Sequence, residues 1–300
     1  MWLLSRIAVN LRALGYPDQA RQRLQECLAL AERQARPFGL VFAFGTAGWF
    51  HADRWEWQRV KERAEEMIRL STEQGFPYFL AYGTAMRGWA LAEQGQVEAG
   101  IVQMQQGPAS FRATGAELGR LEHCPWLAAG YAKAARIEEG LTVLTEALAL
   151  VERTGARASE AELYRLRGEL MLAQSSVQGL EPGVQENQKS KVKKQKSKMT
   201  DPRPLTPNPQ GEAEACFLKA IGISQQQQAK SLELRVVMSL VRLRQQQAVQ
   251  YASHNTQHEA RSKLVEAHQL LSEIYSWFTE GFDTKDLQEA KALLEEVSSP

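Results

Sequence analysis

A period of forty residues constrains this chain more than any other feature. Gly75, Gly115 and Gly155 stand forty apart, and Ala35 holds the same phase one unit earlier. A second series runs through Gly48, Gly88, Ala128 and Gly168. Trp49 and Trp89 echo each other, as do Leu30, Leu70 and Leu150. Self-similarity in this range marks a stack of small helical units, none of which can bury its apolar face alone. The period therefore predicts an all-α chain of helical hairpins.

One unit is legible in residues 77–114. Pro77 opens a segment in which Leu80, Gly83, Thr84, Gly88 and Leu91 recur at spacings of three and four, one stripe of a helix. Gly95 stops it, since glycine tolerates the positive φ of a helix C-terminus. A second helix follows from Gln96 to about Arg112, with Val97, Ile101, Met104 and Phe111 facing inward, and Gly115 ends it. A glycine inside a helix costs ~1 kcal/mol relative to alanine. Small residues recurring at the 48/88/128/168 phase thus imply a packing return, the close approach of two helices in each hairpin.

Extended along the chain, this pattern predicts hairpins at 2–14/17–35, 37–52/54–74, 77–94/96–114 and 116–134/136–154. In the second of these Asp53 is a candidate cap, and in the fourth Pro125 predicts a kink or break. A fifth hairpin begins at 157–174 and is interrupted. Residues 175–209 carry six lysines between Lys189 and Lys198 and prolines at 182, 202, 204, 207 and 209, with almost no apolar content, a composition that predicts disorder. Helix resumes near Gly211, and removing about thirty-four residues places Ala229 in the phase of Gly155. The sixth hairpin is 230–247 and about 256–278. A last helix over 284–297, capped by Asp283 or Thr284, has the polar outer face of a terminal cap (Lys285, Gln288, Glu289, Lys291, Glu295). The organisation expected is one solenoid in two stretches, 1–174 and 210–300, with 175–209 inserted at a hairpin tip.

Composition excludes more than it suggests. Lysine plus arginine number 36 against 35 acidic residues, a net charge of +1, so nucleic acid is an unlikely partner for the chain as a whole. The lysine run is interleaved with no aromatic side chain for stacking on bases. Cys27, Cys124 and Cys216 lie far apart with no C-x-x-C pair, which fits small apolar core residues and a reducing cytoplasm. The longest apolar run, 40–50, is too short to cross a membrane. The first residues lack the build of a signal peptide and start inside a helix, which predicts a piece of a longer protein. His254 and His258 are four apart, but His254 lies in a turn and no H-E-x-x-H results. Neither a phosphate loop nor a nucleophile elbow occurs. No catalytic, cofactor or metal residue is assigned.

Two sets of residues carry a resemblance. Leu14-Gly15 through Ala20 matches the L-G-x-x-x-x-A turn of tetratricopeptide-like repeats. The stretches 161–174, 212–221 and 229–243, and above all Y-S-W-F-T-E-G-F-D-T-K-D-L-Q-E-A-K-A-L-L-E-E at 275–296, resemble the C-terminal repeat region of large bacterial signalling proteins, cyanobacterial ones included. Those proteins join an adenylate or guanylate cyclase, or another regulatory domain, to a P-loop ATPase. The resemblance covers 157–296 closely and 1–156 through the period alone. It implies a tetratricopeptide-like right-handed solenoid with a C-terminal capping helix. It also implies a non-catalytic, cytoplasmic sensor or scaffold tail that binds a protein partner, a signalling ATPase or cyclase. The alternative is a split or truncated part of such a nucleotide-dependent enzyme. In such arrays the first helix of each hairpin lines the concave groove, which assigns Tyr82, Arg87, Glu122, Tyr164 and Arg167 to partner binding.

Overall fold

In a computed structural model that describes residues 1–113, 117–178, 208–250 and 257–297, the chain is all-α. The helices are α1 (Trp2–Leu14), α2 (Pro17–Gln34), α3 (Pro37–Asp53), α4 (Trp57–Gln74), α5 (Pro77–Glu93) and α6 (Val97–Ala113). They continue with α7 (Glu117–Lys133), α8 (Ile137–Thr154), α9 (Glu160–Gln178), α10 (Pro209–Gln226), α11 (Lys230–Gln250), α12 (Gln257–Trp277) and α13 (Lys285–Val297). They form six hairpins and a final single helix.

The period is written in the turns. Between hairpins, Ala35, Gly75 and Gly155 adopt the left-handed conformation, with φ of 49°, 69° and 69°. Within hairpins a second series does the same: Gly15, Trp55, Gly95 and Ala135 have φ of 95°, 59°, 89° and 57°. Each residue after this second series donates its amide across six residues to close the helix. The bonds are Tyr16 to Leu11 (2.8 Å), Glu56 to His51 (2.9 Å), Gln96 to Leu91 (3.0 Å) and Arg136 to Tyr131 (2.9 Å). These are Schellman closures that use carbonyls otherwise left unpaired. Glycine holds the conformation freely, whereas Trp55 and Ala135 hold it against a cost of roughly 1–2 kcal/mol each. Pro17, Pro37, Pro77 and Pro209 stand in the first turns of their helices, where a missing amide costs nothing.

The small-residue phase marks helix contacts. A Cβ on Gly88 would lie 2.7 Å from the Gly100 carbonyl oxygen and 2.9 Å from the Met104 nitrogen, so α5 and α6 touch backbone to backbone. A Cβ on Gly48 would strike Met86, and one on Gly168 would strike Phe217 at 2.6 Å. Ala128 is fully buried.

The array closes on itself. The turn between α1 and α2 packs against the end of α12: a Cβ on Gly15 would lie 2.7 Å from the Trp277 ring, and Tyr16 meets Trp277 at 5.3 Å between centroids. Glu280 accepts the amides of Asp18 (2.9 Å) and Gln19 (3.0 Å) at the start of α2, and Asp18 accepts the Gly281 amide (3.0 Å). The Ser231 hydroxyl on α11 donates to the Arg12 carbonyl on α1 (2.7 Å), and Arg54 pairs with Asp283 (2.7 Å). The concave surface expected of an open solenoid is thereby closed into a ring around a lumen.

Several local expectations change. Asp53 caps nothing: the residue preceding α4 is Glu56, and Asp53 pairs instead with Arg12 and Arg235. Asp283 is likewise engaged by Arg54 and Arg21. Helix α7 runs through Pro125 without a break. After the interruption the left-handed residue is Gln228 (φ 54°), and the Ala229 amide closes on the Ser224 carbonyl at 2.8 Å as Phe76 closes on Ser71. Gln228, not Ala229, therefore holds the phase of Gly155. Helix α9 extends to Gln178, past the expected boundary at 174, and residues 179–207 of the expected insertion lie outside the described residues, as does His254. No described helix is long and apolar enough to cross a membrane.

Candidate functional site

The lumen is lined by the first helix of every hairpin and by α13, and holds a partly open cavity of about 450 Å³. Its contributors follow the period. Phe42, Tyr82, Glu122 and Glu162 stand forty apart, and all four line the cavity. So do Trp49, Trp89 and Ala129, and so do Asp53, Glu93 and Lys133. Helical residues a whole unit apart share a face, so each phase of the repeat becomes a ring of side chains around the lumen.

The cavity has two unlike walls. On α3, α5 and α7 it is aromatic. Trp126 lies between Trp49 (4.9 Å between centroids) and Trp89 (5.9 Å), both at an interplanar angle of 34°. His123 sets its ring edge-on to Tyr82 at 4.5 Å, and Tyr78 approaches Tyr82 at 6.2 Å. Burial drives the His123 pKa down to about 4, against a bond to the Gly119 carbonyl that favours the proton. Burial, with the Glu122 charge, pushes Tyr78 up to about 12 and holds Tyr82 well above its ordinary value.

The opposite wall, on α1, α9, α11 and α13, is charged and paired. Arg235 bridges Asp286 (2.6 Å) and Asp53 (3.3 Å), and Asp53 also meets Arg12. Arg165 holds Glu162 (2.6 Å) and Glu169 (2.5 Å), and Ser239 donates to Glu169 (2.8 Å). Arg242 pairs with Glu289 (2.7 Å), and across the lumen Lys133 pairs with Glu93 (3.0 Å). Burial opposes ionisation of Glu162, yet Arg165, Arg235 and Arg12 together hold it below the ordinary carboxylate range. Asp286 moves the other way, because burial and the charge of Asp53 outweigh Arg235. At the rim, Trp55 is exposed and carries the Lys285 ammonium 3.9 Å from its ring centroid, a cation–π contact.

Of the five residues assigned from the sequence, Tyr82 and Glu122 meet in this cavity, while Arg87, Tyr164 and Arg167 are not among the residues that line it. Arg87 donates to Gln103 on α6 (2.8 Å), and Tyr164 accepts from Lys219 on α10 (2.5 Å). Arg167 acts on Cys216 of α10. The reason is rotational. Arg87 and Arg167 share the phase of Ala47 and Leu127, which are buried, and Tyr164 shares that of Phe44 and Cys124, also buried. The luminal arginine of α9 is Arg165, two residues and about 200° away from Arg167. Trp49, Trp126, Arg165, Arg235 and Asp286 escaped the sequence assignment. Following the phase of Tyr82 and Glu122 back to Phe42 and on to Glu162 would have located the luminal face. Among the described residues no three His, Cys, Asp or Glu side chains gather as a metal site. The sequence matches no family model and no curated protein.

Proposed function

We propose that this chain is a non-catalytic interaction module, the sensor or scaffold part of a bacterial, cytoplasmic signalling system, and that its lumen is the working surface. The observation that supports this is the lumen itself: about 450 Å³, walled by aromatic rings on one side and paired charges on the other, with every first helix contributing. Sites of this size that combine apolar walls with a few polar groups receive ligands or inserted segments. The resemblance of 157–296 to repeat tails beside cyclases and P-loop ATPases supplies the partner class, a signalling ATPase or cyclase. On this reading the pure chain neither hydrolyses ATP nor forms a cyclic nucleotide.

A photo-crosslinking residue placed at Ala129, in the lumen, should capture the partner ATPase or cyclase. The same residue at Glu65, exposed on α4, should not. Capture from Glu65 alone would move the interface to the outer helices. Turnover of ATP by the pure chain would overturn the non-catalytic half.

A further inference from the structure

The charges around the lumen are nearly all accounted for within the protein. Arg12, Lys133, Arg165, Arg235 and Arg242 each face a carboxylate of the lining at ion-pair distance. Two lining residues stand outside these pairs, Arg6 on α1 and Glu122 on α7. Glu122 is half-buried and makes no side-chain hydrogen bond or ion pair with any described residue. Arg6, exposed on α1, is the cation whose charge reaches it, but the two do not pair. Burial accordingly raises the Glu122 pKa, as expected for a carboxylate withdrawn from water with nothing to compensate it.

The surroundings of Glu122 are aromatic. Trp126 follows it by one helical turn, on the same face of α7. Trp126 is flanked by Trp49 and Trp89, and Tyr78 and Tyr82 feel the Glu122 charge. Ring faces carry negative quadrupole and attract cations, most strongly when water is excluded and the ring is indole. A lone carboxylate beside tryptophan and tyrosine rings is complementary to an organic cation: the rings take the alkyl groups and the spread charge, and the carboxylate supplies the counter-ion. Chains of fixed pairs on the opposite wall leave no second anion to compete.

We propose that the aromatic wall of the lumen binds a small organic cation of the alkylated-ammonium class, with Glu122 as its counter-ion and Trp49, Trp126 and Tyr82 as its cage. This rests on the reading of the lumen as the working surface and adds the chemistry of the occupant. Binding there places the ligand between α3, α5 and α7.

The test uses the full chain, choline as the cationic probe and 3,3-dimethyl-1-butanol as its uncharged isostere, with tryptophan fluorescence and calorimetry as readouts. Choline should quench saturably and bind about tenfold tighter than the isostere. In Glu122→Gln, with helicity and melting midpoint kept, the two should bind alike. If Glu122→Gln does not fold, Trp49→Leu serves: choline affinity should fall about tenfold while the isostere changes less. Equal binding of choline and isostere by the unaltered chain overturns the proposal, as does an absence of saturable quenching by choline. A lumen that fails with choline yet still captures a partner from Ala129 loses the cation and keeps the interaction surface. A lumen that binds choline but captures nothing keeps the cation and loses the partner.

Discussion

The hairpin of α5 and α6 and the seam between the first hairpin and the last are both tight, but they are built from different materials. In the hairpin, Gly88 and Gly100 bring two backbones together: a Cβ on Gly100 would lie 2.5 Å from the Gly88 carbonyl. The contact is buried and involves residues twelve apart. In the seam, Glu280 accepts two amides at the N-terminus of α2, Gly281 lies against Pro17, and Arg54 and Arg21 share Asp283. That contact is largely polar and joins residues more than two hundred apart. A repeat can copy the first kind of interface from unit to unit. The second kind has to be made once, from residues that belong to no period.

The difference can be broken from either side. Gly88→Leu should have the largest effect, a loss of ~3 kcal/mol or more, because its side chain meets backbone rather than a flexible side chain. Chemical denaturation measures it. A gain near 1 kcal/mol, as for an exposed helical glycine, would show that the two backbones do not touch.

Acid should separate the two regions. The folded chain holds His123 neutral down to about pH 4, whereas in the unfolded chain it titrates near 6.5. Between those values the unfolded state binds the extra proton. The contribution of His123 is therefore complete above ~6.5 and declines as pH falls toward 4, by up to ~3 kcal/mol. Glu122, raised by burial, works in the opposite sense, so the informative quantity is the difference between proteins. His123→Phe should lose less stability between pH 7.5 and 4.5 than the unaltered chain. At the seam, burial opposes ionisation of Asp283, but Arg54 and Arg21 hold its pKa below the ordinary value, so those pairs persist until a lower pH. Equal pH slopes in His123→Phe and the unaltered chain would refute this assignment.

Gly281→Ala attacks the seam alone. At φ 77° a side chain is strained, and its Cβ would lie 2.0 Å from Pro17 Cγ. The expected loss is ~2 kcal/mol. Hydrogen exchange should quicken in α1, α2 and α13 while α5 and α6 keep their protection. Quickening throughout would mean that closure supports every repeat. Glu280→Ala should do least, ~1 kcal/mol, the worth of a helix N-terminal acceptor, and should expose the amides of Asp18 and Gln19 first. If those two amides exchange no faster, the seam does not depend on that cap.

Legibility followed the same division. Hairpins, turns and small-residue contacts were readable because their causes lie within one unit of chain: a left-handed residue at Gly75, a proline at Pro77, a glycine at Gly88. Tyr82 and Glu122 were assigned only as residues of first helices, and they fall in the lumen because both sit on its repeated phase. Arg87, Tyr164 and Arg167 were misplaced because charge and aromatic character do not fix rotation about a helix axis. One residue turns a side chain by about 100°, and only packing against the neighbouring helix decides which way it faces. The shift from Ala229 to Gln228 is a similar miss, because the number of residues in an interruption does not reveal where the next turn closes.

By itself the sequence determined the local geometry of this protein: helix after helix, stopped at residues that accept positive φ and paired by residues without a side chain. Each of those events depends on neighbours in the chain, and the period repeats them. Closure was decided by the tertiary structure. Small rotations accumulate from hairpin to hairpin, and no single unit encodes their sum. Only when that sum brings Gly15 to Trp277 and Pro17 to Gly281 does a concave face become a lumen. Only then do Trp49, Trp126, Glu122 and Arg235, drawn from three different helices, line one cavity.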